Sequence, residues 1–347
     1  MDTNKTLVTA AEWFAGGQRI PYDPETGRVL TEEEAATVPG ALRVFERVSA
    51  AAAPDADAVW LTMLPGFPDG SYGWAQVDRL LDDDLGPRLY VEPIGQGDSD
   101  KPRDYRYSTV ERANLVQALW RHHGVRRTVV VTFDYTSLAL LELLRRQQEQ
   151  AASGHHAEPV ITAVFMVNGG LFADAHTHPW QGTPLLRSPL GGLAMRGWQR
   201  SQRAFDTGVR QARMYSRGYQ PSPAELTELR AAITRRDGAA FLHNAAGFVS
   251  EHRRHARRWD LAAIARDASG TVALYVGGSQ EDPYEHRQVT ATRERVPGAE
   301  ILSFPGGHLT TGEHPDLLAA AIRDIAARHG VAAPAIAGSS LTRKETP

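Results

Sequence analysis

Asp134, Asp282 and His308 are the residues whose types and chain order could make a reactive site. A carboxylate can attack an sp³ carbon that carries a strained or good leaving group, forming an ester. A histidine can then activate water to cleave that ester, and a second carboxylate can orient the histidine. Each residue also has a plainer reading. Asp134 lies between an apolar run and a helix-like stretch, where aspartate serves equally as an N-cap. Asp282 precedes Pro283 and could be only a turn residue. His308 is one of 13 histidines, set apart by its Gly306-Gly307-His308 context. Asp260 and Asp267 are weaker acid candidates, because neither follows a strand-like run.

The elements that would position these residues read as a strand-then-helix rhythm. Strand-like runs are Gln18–Tyr22, Leu42–Val48, Ala58–Leu64, Arg88–Val91, Thr128–Phe133, Val160–Val167, Thr271–Val276 and Glu300–Phe304. Helix-like stretches are Val110–Arg121, Leu138–Gln150 and Leu317–Arg328. The alternation predicts an α/β fold with a mostly parallel central sheet flanked by helices. Residues 173–266 interrupt it with no convincing strand. Within them, Ser222-Pro223-Ala224-Glu225 reads as a capped helix start, Asp237-Gly238 as a break and Ala239–Glu251 as a further helix. The expected organisation is a core over 1–172, an inserted helical cap over 173–266, the rest of the core over 267–330 and a disordered tail over 331–347.

Composition narrows the chemistry. The 347 residues include no cysteine, which excludes a disulfide scaffold, a thiolate metal cage, an iron–sulfur centre and a cysteine nucleophile. Lys+Arg number 38 against 41 Asp+Glu, so no charge excess points to nucleic acid or an anionic membrane as partner. The balance agrees with a small, uncharged organic substrate. No apolar run reaches about 18 residues. Met1–Thr9 carries Asp2 and Lys5 and leads into no apolar stretch, so a cytoplasmic protein is expected. His122-His123 and His155-His156 are adjacent pairs, a poor geometry for one chelate, and no metal site is expected. An apolar cap could support a homodimer, without a residue-level argument for one.

Four loops follow strand ends, the edge at which parallel sheets bind ligands. They are Leu64-Pro65-Gly66-Phe67-Pro68 with Ser71-Tyr72-Gly73-Trp74; Gly95-Gln96-Gly97-Asp98-Ser99-Asp100-Lys101-Pro102; Thr132-Phe133-Asp134-Tyr135-Thr136-Ser137; and Asp282-Pro283 with Gly306-Gly307-His308. Over roughly Gln18 to Arg328 they resemble the α/β-hydrolase superfamily. Within it they resemble the epoxide hydrolase and haloalkane dehalogenase branch, which has aspartate where most members have serine. Asn168-Gly169-Gly170-Leu171-Phe172 and Glu251–Trp259 resemble the epoxide-hydrolase-like subgroup that includes the mesoderm-specific transcript protein. The resemblance implies Asp134 as nucleophile, His308 with Asp282 as the water-activating pair, and the N–H groups of Phe67 and Tyr135 as an oxyanion hole. It implies no metal or organic cofactor. Epoxide opening also needs a proton donor, usually a cap tyrosine. Tyr215 and Tyr219 stand at helical i, i+4 spacing, with cap packing as their alternative role. Trp180, Trp198, His176 and His178 could line the pocket and receive no role.

Several positions depart from the family pattern. Thr132, Thr136 and Ser137 stand where glycine or another small residue usually relieves the tight turn. Phe133 and Pro65 replace frequent histidines, and Glu92 a common aspartate. Dehalogenases of this branch typically place tryptophan after the nucleophile and often asparagine in the first loop, where this chain has Tyr135 and Phe67. The leading expectation is therefore epoxide opening, for example in a specialised biosynthetic pathway. The alternatives are haloalkane dehalogenation, an ester or C–C hydrolase or lyase, and a non-catalytic binding protein on the same fold. The serine chemistries lack a serine at the apex. The binding protein would explain the threonine-rich turn.

Overall fold

The computed structural model describes residues 7–49, 55–81, 85–154, 159–176, 188–238, 251–267, 271–284 and 286–331. Among the described residues nine strands form one sheet: β1 (Gln18–Asp23), β2 (Arg28–Val29), β3 (Leu42–Ser49), β4 (Val59–Leu64), β5 (Arg88–Val91), β6 (Arg127–Phe133), β7 (Val160–Val167), β8 (Ala273–Ser279) and β9 (Glu300–Phe304). Their order is β2-β1-β3-β5-β4-β6-β7-β8-β9. Neighbours from β5 to β9 pair in parallel, and β1, β2 and β3 extend one edge in antiparallel fashion. The mostly parallel α/β sheet expected from the sequence is present. The strand missing from that reading is β2, two residues long and too short to show periodicity. It is made by the turn after Asp23, where Gly27 takes φ +64°.

The apolar runs are buried on both faces, as parallel strands covered by helices must be. Val129, Val131 and Phe133 of β6 pack with Leu318 and Ile322 of the helix Pro315–Arg328. Val130 packs on the opposite face with Leu119 of Thr109–His122 and Leu140 of Thr136–Ala152. Each such side chain contributes about 1.5–3 kcal/mol relative to exposure. This two-sided packing fixes the strand ends from which the site is built.

The described residues between β7 and β8 hold helices Pro189–Arg200, Gln202–Gln211, Pro223–Ile233, Glu251–Arg254 and Leu261–Asp267, and no strand. Pro223–Ile233 starts with the expected capping box between Ser222 and Glu225. Met195, Phe205, Val209, Leu226 and Ile233 form a small core of their own. The expected helix Ala239–Glu251, Glu251 apart, and residues 332–347 of the tail lie outside the described residues. No helix among the described residues is long and apolar enough to cross a membrane.

Candidate active site

Asp134 occupies the sharp turn between β6 and the helix Thr136–Ala152, with φ +56°. A non-glycine residue in the left-handed region is uncommon and costs on the order of 1 kcal/mol, so the surroundings must hold it there. They do so through the backbone. Asp134 N–H donates to Val167 C=O at 3.0 Å, and Ser137 N–H donates to Asp134 C=O at 3.1 Å. The threonines that looked too large for this turn are accommodated. Thr136 Oγ1 donates to Phe133 C=O at 3.0 Å. Thr132 Oγ1 and Ser137 Oγ share a hydrogen bond of 3.0 Å. The space comes from the neighbouring strand end, because a Cβ on Gly169 would lie 1.9 Å from Ser137 Oγ. The small residue that the turn needs sits across from it rather than within it.

Asp282 and His308 lie beside Asp134 at the strand ends. His308 Nδ1 lies 3.0 Å from Asp282 Oδ2, and His308 Nε2 lies 3.6 Å from Asp134 Oδ1. With the Nδ1 proton on the Asp282 side, Nε2 faces Asp134 as a base. All three are deeply buried, at 4 % exposure for Asp134, 2 % for Asp282 and 3 % for His308. The two glycines before His308 have separate reasons. Gly306 takes φ +96°. A Cβ on Gly307 would lie 2.5 Å from the backbone of Tyr215 and Ser216, so only glycine lets the inserted segment close over the histidine loop.

Asn168, at the end of β7, is a site residue that carried no role in the sequence reading. Its Nδ2 donates to Ser279 Oγ at 2.9 Å and to His308 C=O at 2.8 Å, and its Oδ1 accepts from Ser279 N–H at 2.9 Å. One amide thus joins the ends of β7 and β8 to the histidine loop. Its φ of +46° suits asparagine better than most residues. The signals in the sequence were the Asn-Gly-Gly turn closing an apolar run and the subgroup resemblance of Asn168–Phe172, neither of which gave Asn168 a role.

The loop after β4 supplies the amide facing Asp134: Phe67 N–H donates to Asp134 Oδ2 at 3.0 Å. Tyr135 is the N-cap of Thr136–Ala152, whose first-turn N–H groups have no carbonyl four residues earlier in the helix. Glu92 is buried beneath the loop, where Ser71 Oγ donates to its Oε2 at 2.6 Å. Burial pushes Glu92 up to about 7, against the lowering effect of the Ser71 hydrogen bonds. Gly70 and Gly97 leave room for the longer acid, since a Cβ on either would lie 2.2 Å from its carboxylate. Asp69 is a second residue missed, hidden in a Pro-Asp-Gly turn signal. It is buried, its Oδ1 has no hydrogen-bond partner, and burial with the added charge of Asp134 pushes it up to about 7.

Tyr215 and Tyr219 do not lie on a helix, contrary to the i, i+4 reading. The helix Gln202–Gln211 has ended before them, and Arg213 takes φ +53°. They still share a face, because their rings stack at 5.3 Å. The Tyr219 hydroxyl donates to Glu225. Burial raises Tyr215 well above the ordinary tyrosine range. His176 reaches the site through Tyr135, whose hydroxyl lies 3.2 Å from its Nε2. Trp198 packs on Phe205 instead. Trp180 and His178 lie outside the described residues. Asp260 caps the start of Leu261–Asp267 through Ala263 N–H at 3.0 Å. His122 and His123 converge with Glu46, their ligand atoms within 4.8 Å. Protein donors already satisfy that buried carboxylate: His123 at 2.7 Å and Gln18 at 3.0 Å. His155 and His156 are outside the described residues.

The sequence profile of the alpha/beta hydrolase family matches residues 63–321, from β4 into the last helix. The chain belongs to the alpha/beta hydrolase family. This alpha/beta hydrolase is 28 % identical over 247 residues to the human mesoderm-specific transcript homolog protein, covering 70 % of this chain and 69 % of that one. It is 29 % identical over 318 residues to the putative hydrolase LipZ of Mycobacterium tuberculosis, covering 91 % and 97 %. In fold it is similar to the haloalkane dehalogenase DatA of Agrobacterium tumefaciens, with a TM-score of 0.64 at 17 % identity, over 90 % and 97 % of the two chains.

Proposed function

We propose that this alpha/beta hydrolase opens a small, uncharged organic epoxide through an ester on Asp134. The observation that carries the reading is a carboxylate at a positive-φ apex, between the Phe67 N–H and His308 Nε2. A carboxylate attacking an acyl carbon would give an anhydride, more reactive than the ester consumed. Attack on an epoxide carbon gives a stable ester and releases ring strain. Asp134 Oδ1 forms the new C–O bond, and the ring C–O electron pair moves to the ring oxygen, which takes a proton. His308, held by Asp282, then removes a proton from water as the water adds to the ester carbonyl. The tetrahedral oxyanion meets the N–H groups of Phe67 and Tyr135, and collapse releases a diol and restores Asp134. The helices between β7 and β8 act as the cap. Of its two tyrosines, Tyr215 is the better proton donor, since the Tyr219 hydroxyl is committed to Glu225. No metal or organic cofactor enters this scheme.

The test is mass spectrometry after incubation with an epoxide panel. A His308→Gln variant is expected to accumulate a substrate-sized ester on the Asp134 peptide. Asp134→Ala should lose turnover by about 10³-fold or more. Full turnover by Asp134→Ala would sink the covalent mechanism. Halide release from a haloalkane is the alternative chemistry for the same carboxylate, against which stands the Tyr135 hydroxyl, on the residue after Asp134 but placed 3.2 Å from His176 Nε2. Chloride or bromide release from a haloalkane panel would establish it over epoxide opening.

A further inference from the structure

The peptide that carries the Phe67 N–H is gripped at both ends. Its N–H donates to Asp134 Oδ2 at 3.0 Å, while its carbonyl, on Gly66, accepts from Gln96 Nε2 at 2.8 Å. In a trans peptide the C=O and N–H point in opposite directions, so a donor on the carbonyl side aims the N–H at the other side. A side-chain amide can turn over and present oxygen instead of nitrogen. Here it is prevented from doing so by Arg112, whose Nη1 lies 3.1 Å from Gln96 Oε1. A guanidinium can only donate, so Gln96 must offer it oxygen and offer Gly66 the NH₂ group. The direction of every bond follows, from Arg112 through Gln96 and Gly66–Phe67 to Asp134.

We propose that Gln96, set by Arg112, is the positioning residue that keeps the Phe67 amide pointed at the nucleophile. Three further observations support this. Gln96 and Arg112 are both buried, so water offers little substitute for either bond. Gly66 has no Cβ, and steric limits alone hold its backbone weakly. Arg112 stays charged at neutral pH, since burial brings it down only to about 10. Arg112 also interacts electrostatically with Asp134, so one buried cation favours the ionised nucleophile and fixes the amide that faces it. Gln96 lies in one of the strand-end loops, and Arg112 in the first turn of the helix Thr109–His122; neither carried a role in the sequence.

The role makes a kinetic prediction that rests on the epoxide-opening reading. Alkylation discharges the Asp134 carboxylate, so the Phe67 N–H holds the ground state of that step and does not favour its transition state. Hydrolysis builds an oxyanion on the same carboxyl, where one donor is worth about 10²–10³-fold. Gln96→Met keeps the length and removes both hydrogen bonds. It is expected to leave ester formation unchanged or faster and to slow ester breakdown about 10–100-fold. Arg112→Lys keeps a cationic donor beside Gln96 and should retain most of both rates. A purely structural role would depress both steps together, and that outcome would overturn the proposal.

A second measurement needs no turnover. In protein labelled with ¹⁵N-phenylalanine, the Phe67 amide is assigned by its loss in Phe67→Leu. Its proton, bonded to a carboxylate, should resonate downfield and lose that position in Gln96→Met. An unmoved resonance would overturn the proposal. If the wild-type chain formed no ester on Asp134, the epoxide reading would fail alone, and the amide resonance would still decide the role of Gln96.

Discussion

The strand ends that carry Asp134, Asp282 and His308 and the inserted helices from Pro189 to Ile233 are held by different physics. At the strand ends the polar groups are buried and bonded to one another, as Asn168 shows by joining β7, β8 and the histidine loop. The inserted helices have a small apolar cluster of their own, set Ala232 into the main core, and are followed by ion pairs in which the carboxylate is buried and the arginines are partly exposed. Asp98 Oδ1 accepts from Arg235 and Arg236 at 2.9 Å, with side-chain exposures of 34 % and 45 % for the two arginines. The returning segment after Glu251 belongs with the rigid side. Glu251 accepts from Thr109 N–H at 2.7 Å. Glu142, fully buried on Thr136–Ala152, takes donors from Arg258, Trp259, Arg145 and Arg146. Burial alone would raise Glu142, and those four donors hold it well below the ordinary carboxylate range instead. Reacting groups need placement within about 0.5 Å, and the side that provides it is built from satisfied buried bonds. The insertion meets that side closely at Tyr215 and Ser216, and is fastened elsewhere by partly exposed arginines that can change without disturbing it.

The largest effect that could break this contrast is at Asn168. Asn168→Gly keeps the backbone conformation accessible and removes three buried hydrogen bonds. The orphaned groups on Ser279 and His308 should cost about 4 kcal/mol by denaturant unfolding. Hydrolysis of any trapped ester should slow at the same time, because the His308 loop loses its anchor. A loss below about 1 kcal/mol would mean that the strand ends are no more tightly held than the insertion.

A smaller, pH-dependent effect is expected from Asp69. Its carboxyl is raised to about 7 in the folded chain, against about 3.9 for an unfolded aspartate. Between those values the folded chain keeps a proton that the unfolded chain has released. Stability therefore falls as pH rises through that window, by about 1.4 kcal/mol per unit from this group, and the loss levels off above pH ~7. Asp69→Asn removes the titration. The difference in unfolding free energy between variant and wild type should grow in the variant's favour from pH 5 to pH 7. A flat difference would show that Asp69 is not held protonated beside the site.

The same contrast governs what could be read from the sequence. β4, β6 and β7 are apolar runs because both of their faces are covered, so the sheet was legible with its Asp134 turn and its His308 loop. Gly306-Gly307 was legible as a turn, but not the reason for Gly307, which depends on the distant backbone of Tyr215. Thr132, Thr136 and Ser137 looked crowded because the relieving Gly169 lies on another strand end. Tyr215 and Tyr219 looked helical because spacing was the only guide in a segment without periodicity. Asn168, Asp69 and Gln96 gain meaning only from partners that the fold brings together. Single residues acting across the chain leave no period to detect.

The smallest effect belongs to the light fastening itself. Asp98→Asn removes the charge that holds Arg235 and Arg236 and leaves the Asp134–His308–Asp282 geometry untouched. Partly exposed pairs of this kind contribute about 1 kcal/mol or less, so unfolding should shift by no more than that. The catalytic rate on a small substrate should stay near wild type. What should change is selectivity, because the inserted helices would sit less firmly against the loop after β5. Across a series of epoxides of increasing size, kcat/KM for the larger members should change by a few-fold relative to the smallest. A uniform loss across the series would place Asp98 with the groups that hold the nucleophile, and the division between a rigid reacting edge and an adjustable insertion would have to be redrawn.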